Sequence, residues 1–265
     1  MEKPKISLEQ LKQLAEIAQS HETISQLIQA KTPEGKEIVF DLEKERQAWQ
    51  EFYDQHNLKT HIPDIKLNPE QVKELQDLIE KGYIDDLAII ADELSYQDIE
   101  REMTQGYEAT RLGDNFKADG GLATLDQQET KQGFHLVGYK KVKELDQDPF
   151  LKQTLNQSPD DLNALFKKLE QEQNIKLQGL SGKDYLIIQR KFVEETETSK
   201  DIQDQDRHMD ATKWTWCLRS VFPSGRVLGA RWYAGDRRVR LGSYASGARG
   251  SGGGARPSAI LPLTF

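Results

Sequence analysis

The residue alphabet of this chain changes at position 214, and the change limits what the C-terminal end can fold into. Residues 1–213 contain 23 Lys, 23 Glu and 24 Gln, whereas residues 214–265 contain none of the three. The terminal segment also lacks Met, Asn and His. It holds nine Gly, eight Arg and a single acid, Asp236, for a charge of +7 within a chain whose total is −8, so the body carries −15. An acidic body with a basic end suggests a partner-facing end. Three causes compete: a disordered Arg/Gly tract that binds RNA, a glycine-rich β segment, or codons rewritten by a biased process.

Pattern speaks against disorder. Leu228, Ala230 and Trp232 alternate with Gly229, Arg231 and Tyr233, and Val239 and Leu241 alternate with Arg238, Arg240 and Gly242. A period of two places one set on a buried sheet face and the other in solvent. The apolar close, Ala259-Ile260-Leu261-Pro262-Leu263, is something a solvated tail does not need. The genetic code favours the third cause. Randomising both adenines of an AAC codon reaches many residues, among them Ser, Gly, Arg, Ala and Tyr, but never Lys, Glu, Gln or Met. All four are missing here. Trp cannot arise that way either, so Trp214, Trp216 and Trp232 would belong to codons left untouched.

With 265 residues, the chain is long enough for one or two domains and a real core. No apolar run reaches the length of a membrane span. The charged start, Met1 to Ile6, does not read as a secretory signal, so a cytoplasmic location is the default expectation. Cys217 is the only cysteine, which excludes an intramolecular disulfide and a cysteine-rich zinc site.

Along the chain, Ser7 caps an expected helix from Leu8 to about Ala30, and Thr32-Pro33-Glu34-Gly35 reads as a turn. A second helix is expected over Asp41–His56, with Leu42, Trp49, Phe52 and Tyr53 as its apolar stripe. Asn68-Pro69 caps a third. Leu87–Ile90 reads as a short buried strand and 96–111 as a further helix. Gly113, Gly120 and Gly121 mark a linker over 113–130. Then come a strand at Phe134–Tyr139, helices opening at Pro159 and after Ser181, and the alternating strands. The order is an α+β pattern: a mostly helical accessory domain over 1–112 and a binding domain over 131–265.

Residues 179–265 resemble the variable proteins of diversity-generating retroelements. The resemblance rests on Gly179-Leu180-Ser181 with Tyr185-Leu186 and Gln189, then Trp214-Thr215-Trp216-Cys217-Leu218-Arg219-Ser220. It continues through Gly225-Arg226-Val227-Leu228 and Arg237-Arg238-Val239-Arg240-Leu241 to the closing Gly254-Ala255-Arg256-Pro257-Ser258. It implies a C-type lectin-type fold, shared with formylglycine-generating enzymes, in which the first and last strands pair, so that 134–142 lies beside 256–263. It also implies that a retroelement rewrites outward positions through adenine-directed errors while the scaffold stays fixed. The expected variable, ligand-binding positions are Gly229, Arg231, Tyr233, Ala234, Gly235 and Asp236, then Arg240, Gly242, Tyr244 and Ala245, then Gly247, Ala248, Arg249, Gly250 and Ser251. Trp214, Trp216, Trp232, Arg256 and Pro257 are the expected structural residues.

Other chemistry is poorly supported. Gly252-Gly253-Gly254 lacks the Lys-Ser/Thr of a phosphate loop, and no Gly-x-Ser-x-Gly elbow occurs. His56 and His61 have no matching ligand set and read as surface histidines. Asp206-Arg207-His208-Met209-Asp210 reads as a solvated linker. One carboxylate and no Asn after residue 213 are too few hard ligands for calcium. No metal or cofactor is expected. The leading expectation is a binding protein for a macromolecule, a protein first. The second is a nucleic-acid binder using the +7 segment. The third is an enzyme of the formylglycine-generating type, which requires an exposed, reactive Cys217.

Overall fold

The computed structural model describes residues 26–103, 109–129, 133–196, 208–233, 235 and 238–263. The chain begins with a hairpin, β1 (Leu27–Lys31) and β2 (Glu37–Asp41). Ile28, Ala30, Ile38 and Phe40 alternate inward, and the turn between the strands uses Gly35 at φ +84°. Leu27–Ala30 is therefore strand, not the end of the expected first helix; residues 8–25 of that expected helix lie outside the described residues. Apolar residues at every second position, Ile28 and Ala30 against Ile38 and Phe40, win over the weaker helical spacing.

Two helices follow as expected. In α1 (Leu42–Gln55) the Asp41 side chain caps the first turn, and Trp49, Phe52 and Tyr53 are buried. The Tyr53 hydroxyl donates to the Ile89 carbonyl at 2.8 Å and ties the helix to the next strand. In α2 (Pro69–Glu80) Asn68 and Gln71 form a capping box, with Pro in the first turn. Beyond these lie β3 (Asp86–Ala91) and α3 (Tyr96–Met103).

Here the structure departs from expectation. The helix expected to run to residue 111 is described as far as Met103, and Ala109–Leu112 is a strand, β4, parallel to a strand more than 120 residues later. The expected linker is instead two short helices, α4 (Gly113–Ala118) and α5 (Gly121–Gln128), which bury Phe116, Leu122 and Leu125. Gly120 and Gly121, both at positive φ, break the chain between the two helices and do not loosen it. Among the described residues of 26–112 there are three helices and four strands, so strands stand beside the helices expected there.

The remaining elements are β5 (Phe134–Tyr139), α6 (Pro149–Thr154), α7 (Pro159–Gln173), β6 (Gln178–Gly179), α8 (Gly182–Glu195), β7 (Trp214–Val221), β8 (Val227–Tyr233), β9 (Arg238–Tyr244), β10 (Gly253–Gly254) and β11 (Pro257–Pro262). Both classes of element are present, an α+β architecture. One sheet has the order β10-β7-β8-β9-β4 and the other β3-β5-β11-β6. β5 pairs antiparallel with β11, Gly138 opposite Ala259 and Val137 opposite Ile260, as the resemblance implied for the first and last strands. Each large sheet takes a strand from the N-terminal region: β3 pairs with β5 and β4 with β9. A division at residue 112 therefore leaves two sheet-forming strands on its far side. α8 packs against β3 of one sheet and β7 and β8 of the other. Every residue from Gly182 to Arg190 is buried, including Lys183, Asp184, Gln189 and Arg190. Among the described residues no helix is long and apolar enough to cross a membrane.

Candidate ligand-binding face

The register of β7, β8 and β9 sorts the terminal segment into two faces. Thr215, Ala230 and Leu241 stand in one row, and Trp216, Gly229 and Gly242 in the next. The inner set, Thr215, Cys217, Leu228, Ala230, Trp232, Val239 and Leu241, has no exposure at all. It packs toward α8, where a Cβ on Gly182 would come within 2.4 Å of Leu228. Trp232 stacks on His208 with ring centroids 3.5 Å apart. Burying an apolar side chain of this size contributes roughly 1.5–3 kcal/mol.

The outer set carries rings and guanidinium groups. Arg231 stands directly opposite Arg240, and Tyr233 opposite Arg238. The Arg240 guanidinium lies 3.3 Å from the centre of the Tyr233 ring; Arg231 lies 4.8 Å from the same ring and 5.1 Å from that of Trp214. Trp214 and Trp216 each meet Tyr244 edge-on, at 5.6 and 5.2 Å. Cation–π contacts of this kind contribute about 0.5–1 kcal/mol at exposed sites. They hold flat donors in place on a half-buried surface. Arg231 Nε is buried with no hydrogen-bond acceptor among the described residues.

Four expected contact positions need correction or comment. Gly229 and Gly242 are on the outer side but buried, because Tyr244 folds back across them. A Cβ at Gly242 would meet Tyr244 Oη at 2.8 Å, and one at Gly229 would meet both Tyr244 and Trp216. Ala234 and Asp236 lie outside the described residues. Of the others, Arg231, Tyr233, Arg240 and Tyr244 are half-buried on the strands, and Gly235 is exposed in the turn between β8 and β9. Ala245, Gly247, Arg249 and Ser251 are exposed and Ala248 and Gly250 half-buried in the following loop. Asp160 and Asp161, at the start of α7, fasten that loop: the Ser246 hydroxyl donates to Asp160 at 2.9 Å, and Arg249 pairs with Asp161 at 3.0 Å.

The expected structural residues divide. Trp216 is 2% exposed: its Nε1 donates to the Gln157 carbonyl at 3.1 Å and its ring lies on Gly253. Arg256 is wholly buried and grips Asp210 with Nε at 3.2 Å and Nη2 at 2.7 Å, while also donating to the carbonyls of Lys140 and Lys143. Pro257 opens β11, buried opposite Gly179. Trp214, by contrast, is half-buried beneath Arg231 and belongs to the outer surface. Exposed Arg238 belongs there too; it stands two residues before Arg240, and the alternation already marks it.

Two expectations about histidines and the linker fail. His208, Met209 and Asp210 are wholly buried, with the Gln189 side chain 3.1 Å from His208 Nδ1 and Arg256 on Asp210, so this stretch is core and not a solvated linker. His56 is also buried, 2.7 Å from Glu194, whereas His61 is exposed. Among the described residues no group of three or more His, Cys, Asp or Glu is placed to hold a metal ion. Cys217 is buried, and burial pushes its thiol well above the ordinary range, the opposite of a reactive cysteine. Compared with known protein families, with characterised proteins and with solved structures, the chain matches none of them.

Proposed function

We propose that this chain is a ligand-binding protein of the diversity-generating retroelement type. In this reading residues 131–265 contribute a C-type lectin-type domain, and its outer face of β7–β9 with the loop after β9 is the diversified surface. One observation carries the proposal most directly: two arginines, Arg231 and Arg240, face each other across neighbouring strands on that surface. Like charges directly opposite one another destabilise a sheet, and here aromatic rings hold both guanidinium groups in place. A carboxylate-bearing surface matches planar guanidinium donors of this kind. Tyr and Arg are also the residue types that dominate contact energies. The partner that fits is a protein surface bearing carboxylates. No catalytic role is assigned to the face, whose reverse side is entirely core.

Sequencing the genomic DNA around codons 214–257 tests the reading. The expected result is a second, adenine-rich near-copy beside a reverse-transcriptase gene, differing from this segment only at its adenines. Absence of a copy, with an invariant segment across many cells, overturns diversification and leaves a fixed binding surface. The charge of the segment supports nucleic acid as the second ligand class. Its mark would be binding that weakens steeply with salt and depends little on Tyr233 or Tyr244.

A further inference from the structure

A separate set of charged groups, sharing no residue with the aromatic face, converges where α8 begins. Asp92 follows β3, His135 lies in β5, Asp184 in the first turn of α8, and Arg219 in β7, where the pairing register shifts between Cys217 and Val221. They form a chain. His135 Nδ1 is 2.9 Å from Asp92 Oδ1, and His135 Nε2 is 3.1 Å from Asp184 Oδ1. Arg219 Nη1 donates to Asp184 Oδ2 at 2.8 Å. Beside this chain Lys183 Nζ sits 3.0 Å from Asp126 and 5.4 Å over the Tyr96 ring. The hydroxyls of Tyr96 and Ser220 both donate to Glu129 Oε1, at 2.7 and 2.5 Å. A cleft of about 360 Å³ opens among Asp92, Glu129, His135, Lys183 and Arg219, with the apolar Ile260 and Pro262 and the exposed Gln128 and Gln178 completing its walls.

One carboxylate of the set is satisfied, whereas groups of both signs keep unused capacity. Asp184 is buried and saturated: Oδ1 meets His135, and Oδ2 accepts from Arg219 and from the Ser181 N–H at 2.7 Å. Arg219 donates through Nη1 alone among the described residues, and a guanidinium has five N–H groups. Lys183 has one carboxylate partner there for three N–H groups. Asp92, for its part, has only the His135 ring, 2.9 Å away, and Glu129 keeps Oε2 unbonded among the described residues. Burial by itself would lower the His135 pKa, but the Asp184 and Asp92 carboxylates outweigh it and hold it at about 9. Burial pushes Glu129 upward, against its two hydroxyl donors. Ionisable groups this deep are costly unless paired, and clusters with perturbed pKa values in a cleft mark functional sites.

We propose that this cleft binds a small 2-hydroxy- or 2-amino-carboxylic acid, its carboxylate taken by Arg219 and Lys183 and its neighbouring hydroxyl or ammonium group by Asp92 or Glu129. Ile260 and Pro262 face the ligand's short side chain. The test uses the full chain, with L-alanine, L-lactate, acetate and methylammonium titrated by calorimetry and by NMR of the His135 imidazole. Alanine or lactate binds saturably and shifts the His135 resonances, and acetate, lacking the second group, binds roughly tenfold more weakly. Arg219→Gln abolishes the binding. Because that change also removes a partner of buried Asp184, Gln178→Glu, an exposed change at the cleft, serves as the second variant and weakens binding with an unchanged melting temperature. Saturable binding by none of the four probes overturns the proposal. Methylammonium binding as tightly as alanine, or binding unaltered in both variants, overturns it too.

Discussion

The two faces of β7–β9 are made of neighbouring residues and behave in opposite ways. Cys217, Leu228, Ala230, Trp232, Val239 and Leu241 have no exposure, whereas Arg231, Tyr233 and Arg240, one residue away, and Tyr244 at the end of β9 stay half in solvent. On the inner face a change of one methylene is felt by close-packed neighbours; on the outer face most changes meet water. The comparison also shows that the outer face is graded. Trp216, Tyr244, Gly229 and Gly242 interlock, with Gly250 and Gly253 against the Trp216 ring. Variation there is coupled: a glycine can grow only if the ring above it shrinks. Arg231, Tyr233, Arg238 and Arg240, resting on the strands, are the part able to change one at a time.

That contrast can be broken or sharpened by mutation. The largest losses are expected inside. Trp232→Ala should cost about 3–5 kcal/mol in urea unfolding, and Asp210→Ala, which strands the buried Arg256 charge, a similar amount; small effects at both would mean that the inner face is not core. Next comes a pH-gated loss. His135 is held at about 9 in the fold against an ordinary value near 6.5. Its contribution is therefore fully present below about pH 6.5 and disappears as pH rises through about 9, worth up to roughly 3 kcal/mol. Melting temperature followed from pH 6 to 10 should fall over that window in the wild type and stay flat in His135→Asn. Gly242→Val should cost about 1–3 kcal/mol through its clash with Tyr244, and most of that should return in the Gly242→Val/Tyr244→Ala double variant. Additive costs would show that the two positions are not coupled. Smallest are Arg231→Ala and Arg240→Ala, each within about 0.5 kcal/mol of wild type, while loss of either should weaken a captured acidic partner by about 2 kcal/mol.

Legibility in the sequence followed the range of the interactions involved. α1 and α2 could be read because their stripes and caps are local: Trp49, Phe52 and Tyr53 on one face, Asn68-Pro69 at one start. The alternation at 228–232 and 239–241 placed the inner and outer sets of β8 and β9 correctly. β4 could not be read that way, because Ala109–Leu112 carries no alternation and its partner, β9, is far along the chain. The burial of His208 and Asp210 was hidden for the same reason. A charged stretch looks solvated until Arg256, 46 residues away, is seen to neutralise it. Tyr244 lying over Gly229 and Gly242 depends on a side-chain direction that no pattern encodes. The cleft among Asp92, His135, Lys183 and Arg219 is assembled from separate elements and left no motif in the sequence.

The claim that one face is scaffold and the other is free to vary is tested most directly with two libraries of the full chain. One randomises codons 231, 233, 238 and 240 together, the other codons 228, 230, 239 and 241, and protease resistance on a display system counts the folded members of each. The account predicts that most members of the first library stay folded and that almost none of the second do. Equal folded fractions, or a first library that largely unfolds, would contradict it.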